Sequence, residues 1–274
     1  MPERLLRNGV RLHWREAGDP TAPAVVWIHG GSVEESSSMV ADLEPFLPRI
    51  RALFPDTRGH GLSHKFERVE DYTYARKAED LLLWLDEVAV RRAVWGGVSM
   101  GAALSLWVAV HAPERVRAVV SISGPPYAPT EEDVRWWREH RRLVADGRFE
   151  EYYDANVRLR MGDAWLARLK ARPERYRELT ERLREHSVAS LLALLDETYA
   201  RTDWLGDCAR IRCPVLVVAG GDDRFPTVAM SRRLAGTIPG ARLHVVPGGT
   251  HFPNRSHRSE VQGVLGRFLG ELGL

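Results

Sequence analysis

Three short runs place chemically capable side chains where glycine-rich turns would present them: Gly97-Val98-Ser99-Met100-Gly101, Gly220-Gly221-Asp222-Asp223 and Gly249-Thr250-His251. A serine hydroxyl is a poor nucleophile at neutral pH unless a histidine takes its proton and an acid orients that histidine. The chain supplies these types in the order Ser, Asp, His. Ser99 follows the apolar run Ala93 to Trp95 and precedes the helical pattern Ala102 to His111. A strand-to-helix turn there, flanked by glycines, lifts the hydroxyl above a sheet edge and points helix N–H groups and the positive dipole end at any oxyanion formed beside it. Of the ten histidines, His251 alone falls in a loop after both the serine and a candidate acid, since His244 lies in a strand pattern and His257 opens the last helix. Asp222 and Asp223 both remain open as the acid. In Trp27-Ile28-His29-Gly30-Gly31-Ser32 the glycines allow a backbone N–H to turn toward Ser99, so Gly31 and Met100 are the expected oxyanion donors, with Ser32 the alternative to Gly31. His29 precedes the serine and is expected to bond backbone and hold its loop.

These residues need a rigid frame. Arg4 to Arg7 and Val10 to Glu16 alternate in polarity around Asn8-Gly9, which predicts an antiparallel hairpin closed by a two-residue turn. Beyond Gly18-Asp19-Pro20, continuous apolar runs at Val25 to Ile28, Ala52 to Phe54, Ala93 to Trp95 and Val116 to Ile122 alternate with helical patterns. Strands apolar at every position are buried on both faces, and helical crossovers make them parallel, so the chain is α/β. The rhythm stops at Ser123-Gly124-Pro125-Pro126 and resumes at Pro214, with strands at Val215 to Ala219 and Leu243 to Val246. The intervening stretch, about Thr130 to Asp207, is rich in Arg and Glu and helical in pattern. It reads as a helical cap (125–207) inserted into one core (1–124 and 208–274). Trp136 and Trp137 are the candidate substrate contacts from its aromatics, whereas Arg158 and Arg160, which could pair with a substrate carboxylate, are expected on a solvated face.

Composition excludes several classes. The chain has 274 residues, 44% hydrophobic and 28% charged, ample for a packed core. A net charge of +2 is too balanced for the field of a nucleic-acid binder. No apolar run approaches the roughly 18 residues of a membrane span and no apolar leader opens the chain, so a cytoplasmic protein with no membrane partner is expected. Cys208 and Cys213 lack CxxC spacing and a nearby His pair, which argues for two reduced thiols and no metal or other cofactor.

Taken together, His29-Gly30-Gly31, Asp56-Thr57-Arg58-Gly59-His60-Gly61-Leu62-Ser63, the Ser99 turn, the Asp222-Asp223 turn and Gly249-Thr250-His251 resemble the successive signatures of the α/β-hydrolase family in its capped single-domain branch. The resemblance implies an eight-stranded, mostly parallel sheet with helices on both faces and the cap inserted after strand six. It selects Asp223 over Asp222 through the family's Gly-x-x-Asp turn. Haloalkane dehalogenases and epoxide hydrolases carry aspartate where Ser99 stands, so the resemblance points to an acyl-enzyme and a small ester or lactone substrate. Proline iminopeptidases are similar through His-Gly-Gly, yet continue Pro-Gly where this chain has Ser32-Val33. The remaining motifs are similar to 3-oxoadipate enol-lactonases and haloperoxidase-like esterases. A C–C bond hydrolase, thioesterase or perhydrolase, or a small-ligand receptor with little turnover, is the alternative on the same scaffold.

Overall fold

The computed structural model describes residues 2–31, 34–124 and 126–274. The strands are β1 (Glu3–Leu5), β2 (Arg11–Gly18), β3 (Ala24–Ile28), β4 (Arg51–Pro55), β5 (Ala93–Val98), β6 (Val116–Ile122), β7 (Val215–Gly220) and β8 (Arg242–Val246). They form one eight-stranded sheet in the order β1-β2-β4-β3-β5-β6-β7-β8. β2 runs antiparallel to β1 and to β4, and every later pairing is parallel. The hairpin differs from the expected two-residue turn. Leu6 N donates to Val10 O at 2.8 Å and Gly9 N to Leu6 O at 2.9 Å, closing a three-residue loop in which Gly9 alone has positive φ, at +82°. Asn8 is held there because its amide donates to Asp80 (2.8 Å) and its oxygen accepts from Val10 N (3.3 Å).

Alternate residues of the apolar runs enter separate cores. Val26, Ile28, Leu53, Trp95, Val119 and Val217 pack on one face, while Val25, Trp27, Phe54, Val94, Val120 and Val218 pack on the other. Helices cover both. They are α1 (Val40–Leu43), α2 (Tyr74–Glu87), α3 (Met100–His111), α4 (Glu131–Ala145), α5 (Phe149–Met161), α6 (Asp163–Lys170), α7 (Pro173–Glu181), α8 (Val188–Tyr199), α9 (Val228–Thr237), α10 (Pro253–Ser256) and α11 (Arg258–Glu271). Five of them, α4 to α8, lie between β6 and β7 and share a small core of their own built on Leu143, Val144, Tyr152, Leu183 and Leu191. A capping box at Thr130, whose hydroxyl and Asp133 carboxylate bond each other's backbone N–H, starts α4. The two ends of the insertion are tied together, since Trp204 N donates to Pro126 O at 3.2 Å, and Leu205 and Cys208 just beyond already belong to the main core. Pro125, at the expected start of the cap, lies outside the described residues. Among the described residues no helix is long and apolar enough to cross a membrane, and no cluster of three or more His, Cys, Asp or Glu is arranged to hold a metal.

Candidate active site

Ser99 connects β5 to α3 with φ 55° and ψ −114°, a left-handed conformation that a non-glycine residue holds only where its surroundings enforce it. Two bonds enforce it here: Ser99 N donates to Ile122 O (2.8 Å) and Ser99 O accepts from Ala103 N (3.0 Å). Side chains are excluded at the flanking glycines. A Cβ on Gly97 would lie 2.1 Å from Ile28 O, and one on Gly101 would lie 2.4 Å from Ile28 O and 2.6 Å from His29 O. The pair thus lets β3 and the first turn of α3 close around the serine. Gly124, which no motif singled out, has the same function on the third side, because a Cβ there would lie 2.3 Å from Ser99 O.

The acid and histidine loops are zipped to each other by backbone. Gly221 N donates to Val246 O and Asp222 N to Gly249 O, both at 2.8 Å, and Gly220 passes so close to the second loop that a Cβ would lie 2.1 Å from Thr250 O. That pairing turns Asp222 outward and Asp223 inward. Asp223 Oδ2 bonds His251 Nδ1 at 2.9 Å, and its Oδ1 accepts from Phe225 N at 3.1 Å, while Asp222 is exposed. Both Asp223 and His251 are buried. The other imidazole nitrogen, Nε2, lies 2.9 Å from Arg160 Nη1. A guanidinium only donates, so Nε2 is the unprotonated acceptor and Nδ1–H donates to Asp223.

The loop after β3 is braced as expected of a structural histidine. His29 Nε2 accepts from Thr57 N at 3.1 Å, which leaves Nδ1–H to donate to Gly30 O at 2.6 Å, and burial lowers the ring's pKa below the usual histidine value. Gly31 faces the start of α3, where a Cβ on it would lie 3.6 Å from Met100 Cβ. Met100 N, in the first turn of α3, has no intrahelical acceptor. Ser32 lies outside the described residues. Asp56, at the head of its motif, accepts from His13 Nδ1 (2.6 Å), Ser36 N (2.7 Å) and Leu62 N (3.2 Å). Its burial would raise the carboxyl pKa, but the His13 bond and the other donors hold it below the usual value.

Of the residues in the buried charge pairs beneath the insertion, Arg58 alone lies within one of the sequence motifs. Arg58 clamps Asp80 through Nε and Nη2, each at 2.6 Å. Lys77 donates to Tyr72 O and, at 3.2 Å, to Glu197, which Arg201 also reaches at 3.0 Å. Burial lowers the Lys77 pKa to about 8 against the pull of Glu197. α2 of the core and α8 of the insertion meet through these groups. Ser123, which the sequence marks only as the end of the strand rhythm, follows β6 with φ 51°, lines the cleft, and has a buried hydroxyl without a hydrogen-bond partner among the described residues.

A cleft of about 960 Å³ opens between core and insertion, lined by Ser99, Asp223, His251, Trp136, Tyr199 and Arg160 among others. A second hollow of about 650 Å³ adjoins it, sharing Ser99, Arg160, Thr198, Tyr199 and Arg201, and carries Gly31 and Met100 on its wall. Only one of the two expected tryptophans lines this space. Trp137 faces α8, where its indole donates to Asp196 at 2.9 Å and its ring packs on Tyr199. Of the two arginines expected on a solvated face, only Arg160 departs from it. Arg158 is solvated and pairs with Asp163 at 2.7 Å, but Arg160 enters the cleft.

A family model described as the alpha/beta hydrolase family matches residues 25–262, from β3 into α11. The chain belongs to the alpha/beta hydrolase family. This hydrolase is 26% identical over 273 residues to 3-oxoadipate enol-lactonase 2 of Acinetobacter baylyi, with 97% of each chain covered. It is 40% identical over 131 residues to epoxide hydrolase A of Mycobacterium tuberculosis, a match confined to 45% of this chain and 38% of that protein. Among solved structures, a hydrolase from Pseudomonas aeruginosa superposes with a TM-score of 0.84 at 27% identity, covering 98% of both chains. The enol-lactonase from Burkholderia xenovorans shares the fold, with a TM-score of 0.85 at 22% identity over 98% of this chain and all of that one.

Proposed function

We propose that this hydrolase cleaves small carboxylic esters or lactones through an acyl-enzyme on Ser99. The observation that carries the reading is the convergence of three loops on one cleft: a serine held at φ 55°, an unprotonated histidine Nε2, and a buried carboxylate on that histidine's Nδ1. In the first half-reaction Ser99 Oγ bonds the substrate carbonyl carbon as its proton passes to His251 Nε2. The resulting imidazolium is stabilised by Asp223, and the carbonyl oxygen becomes an oxyanion that accepts hydrogen bonds from the N–H groups of Gly31 and Met100. Collapse breaks the acyl–oxygen bond, and the leaving alkoxide takes the proton from His251. Water repeats the sequence, giving its proton to His251 and releasing the acid from Ser99. The α4–α8 insertion acts as a cap, with Trp136 forming part of its apolar wall.

Epoxide opening fits these residues less well. A serine that attacked an epoxide carbon would be left as an ether, which the same histidine and water cannot hydrolyse, whereas an aspartate would be left as a cleavable ester. The test is direct. A fluorophosphonate probe should label one residue, Ser99, and Ser99→Ala should lose both labelling and p-nitrophenyl ester hydrolysis by roughly 10³- to 10⁶-fold with unchanged circular dichroism. Equal ester turnover by Ser99→Ala and the unmutated enzyme would remove Ser99 from the chemistry.

A further inference from the structure

Arg158 and Arg160 stand two residues apart on α5, so about 200° of helix rotation separates them. Arg158 spends its charge on Asp163 in solvent, while Arg160 is half-buried and, among the described residues, makes no ion pair. Of the other charged groups that line the cleft and the adjoining hollow, Glu132 and Arg224 are exposed and make no ion pair among the described residues, and the rest are bonded. Arg201 is bound to Glu197 (3.0 Å), Glu34 to Arg255 (3.0 Å), Asp223 to His251 (2.9 Å) and Asp133 to Thr130 (2.6 Å). Arg160 therefore brings an uncompensated cation to the boundary between the two hollows, next to the nucleophile. Its backbone is anchored there too, since its carbonyl accepts from His251 N at 3.1 Å.

The side chain also occupies a catalytic position. His251 Nε2 has one lone pair, and Arg160 Nη1 donates to it at 2.9 Å, while no hydrogen bond joins Ser99 to His251. One lone pair cannot serve both donors, so the base is free for Ser99 only when the guanidinium has another acceptor. A carboxylate is the better partner, because two parallel charge-assisted bonds replace one bond to a neutral ring.

We propose that Arg160 binds a carboxylate carried by the substrate and in doing so releases His251 for Ser99, which makes the enzyme selective for short acidic esters or lactones. This rests on the serine-hydrolase reading and adds the substrate class. A neutral ester leaves Arg160 on the base and is turned over more slowly. An acidic one of succinyl or glutaryl length places its carboxylate on the guanidinium and its ester carbonyl at Ser99.

The test has a binding arm that needs no turnover and a kinetic arm that does. In Ser99→Ala, calorimetry at fixed ionic strength should find monomethyl glutarate bound roughly 10- to 100-fold more tightly than dimethyl glutarate. That advantage should disappear in the Ser99→Ala, Arg160→Leu double variant and survive in part with Arg160→Lys. In the unmutated enzyme kcat/KM should favour p-nitrophenyl hemiglutarate over p-nitrophenyl valerate. Arg160→Leu should depress the first and raise kcat for the second, a reversal that loss of packing alone would not produce, since that moves both esters the same way. Equal affinity for the two glutarates, or an unchanged ratio between the two nitrophenyl esters in Arg160→Leu, overturns the proposal. A carboxylate preference in binding with no hydrolysis of either ester upholds the Arg160 site and counts against the serine chemistry.

Discussion

Asp222 and Asp223 are adjacent and chemically identical, yet only one faces the histidine. The backbone bond from Asp222 N to Gly249 O fixes the turn so that the first carboxylate is exposed and the second meets His251 Nδ1 at 2.9 Å. Asp223→Asn keeps the shape but offers an amide that cannot stabilise the imidazolium or hold its tautomer, so kcat on a good ester should fall by about 10⁴-fold. Asp222→Asn removes a solvated charge and should leave kcat within a factor of about two, as surface substitutions away from such features do. Stopped-flow or steady-state rates on the two variants decide it; comparable losses would mean that the loop adopts another register during catalysis.

At the scale of the element, the inserted helices show how a single residue's step of about 100° around a helix separates roles. On α4, Trp136 lines the cleft, and Trp137 packs toward α8 with its N–H on Asp196, which Arg141 also reaches at 3.2 Å. Trp136→Ala should widen the apolar wall and shift the preferred acyl length across an ester panel while leaving the melting temperature nearly unchanged. Trp137→Ala should do the reverse, leaving the preference intact and costing roughly 1–3 kcal/mol of stability through the lost α4–α8 contact and hydrogen bond. Thermal melts and the ester panel on both variants separate the two. An altered acyl preference in Trp137→Ala would assign it to the pocket.

For the whole molecule, a buried carboxylate couples stability to pH. Asp42 follows the loop after β3 and accepts from Trp27 Nε1 and Asn254 Nδ2, both at 2.9 Å, tying the sheet to α10. Burial pushes its carboxyl up to about 6 from 3.8, outweighing those two donors. The folded state then binds the proton more tightly than the unfolded chain, so this contribution to stability is full below the unfolded value and is lost as pH rises through about 6. Asp42→Asn removes the titration. Relative to the unmutated protein the variant should gain on the order of 3 kcal/mol between pH 3.8 and pH 7, the equivalent of a shift of about two pKa units. Denaturant melts across that range check it, and a difference that stays flat with pH would show that Asp42 does not titrate there. By itself the sequence determined the parallel strands, the Ser99 turn, the order Ser, Asp, His and the inserted helices, because each follows from short-range pattern: apolar runs, glycines at strained turns, helical charge spacing. Only the tertiary structure decided that Gly9 closes a three-residue loop, that Trp136 rather than Trp137 lines the cleft, and that Arg160 leaves the solvated face to sit on His251. The buried pairs Arg58–Asp80 and Lys77–Glu197 belong with these. In each case the answer depends on how loops and helices distant in sequence dock, and docking is set by long-range packing that leaves no local period to read.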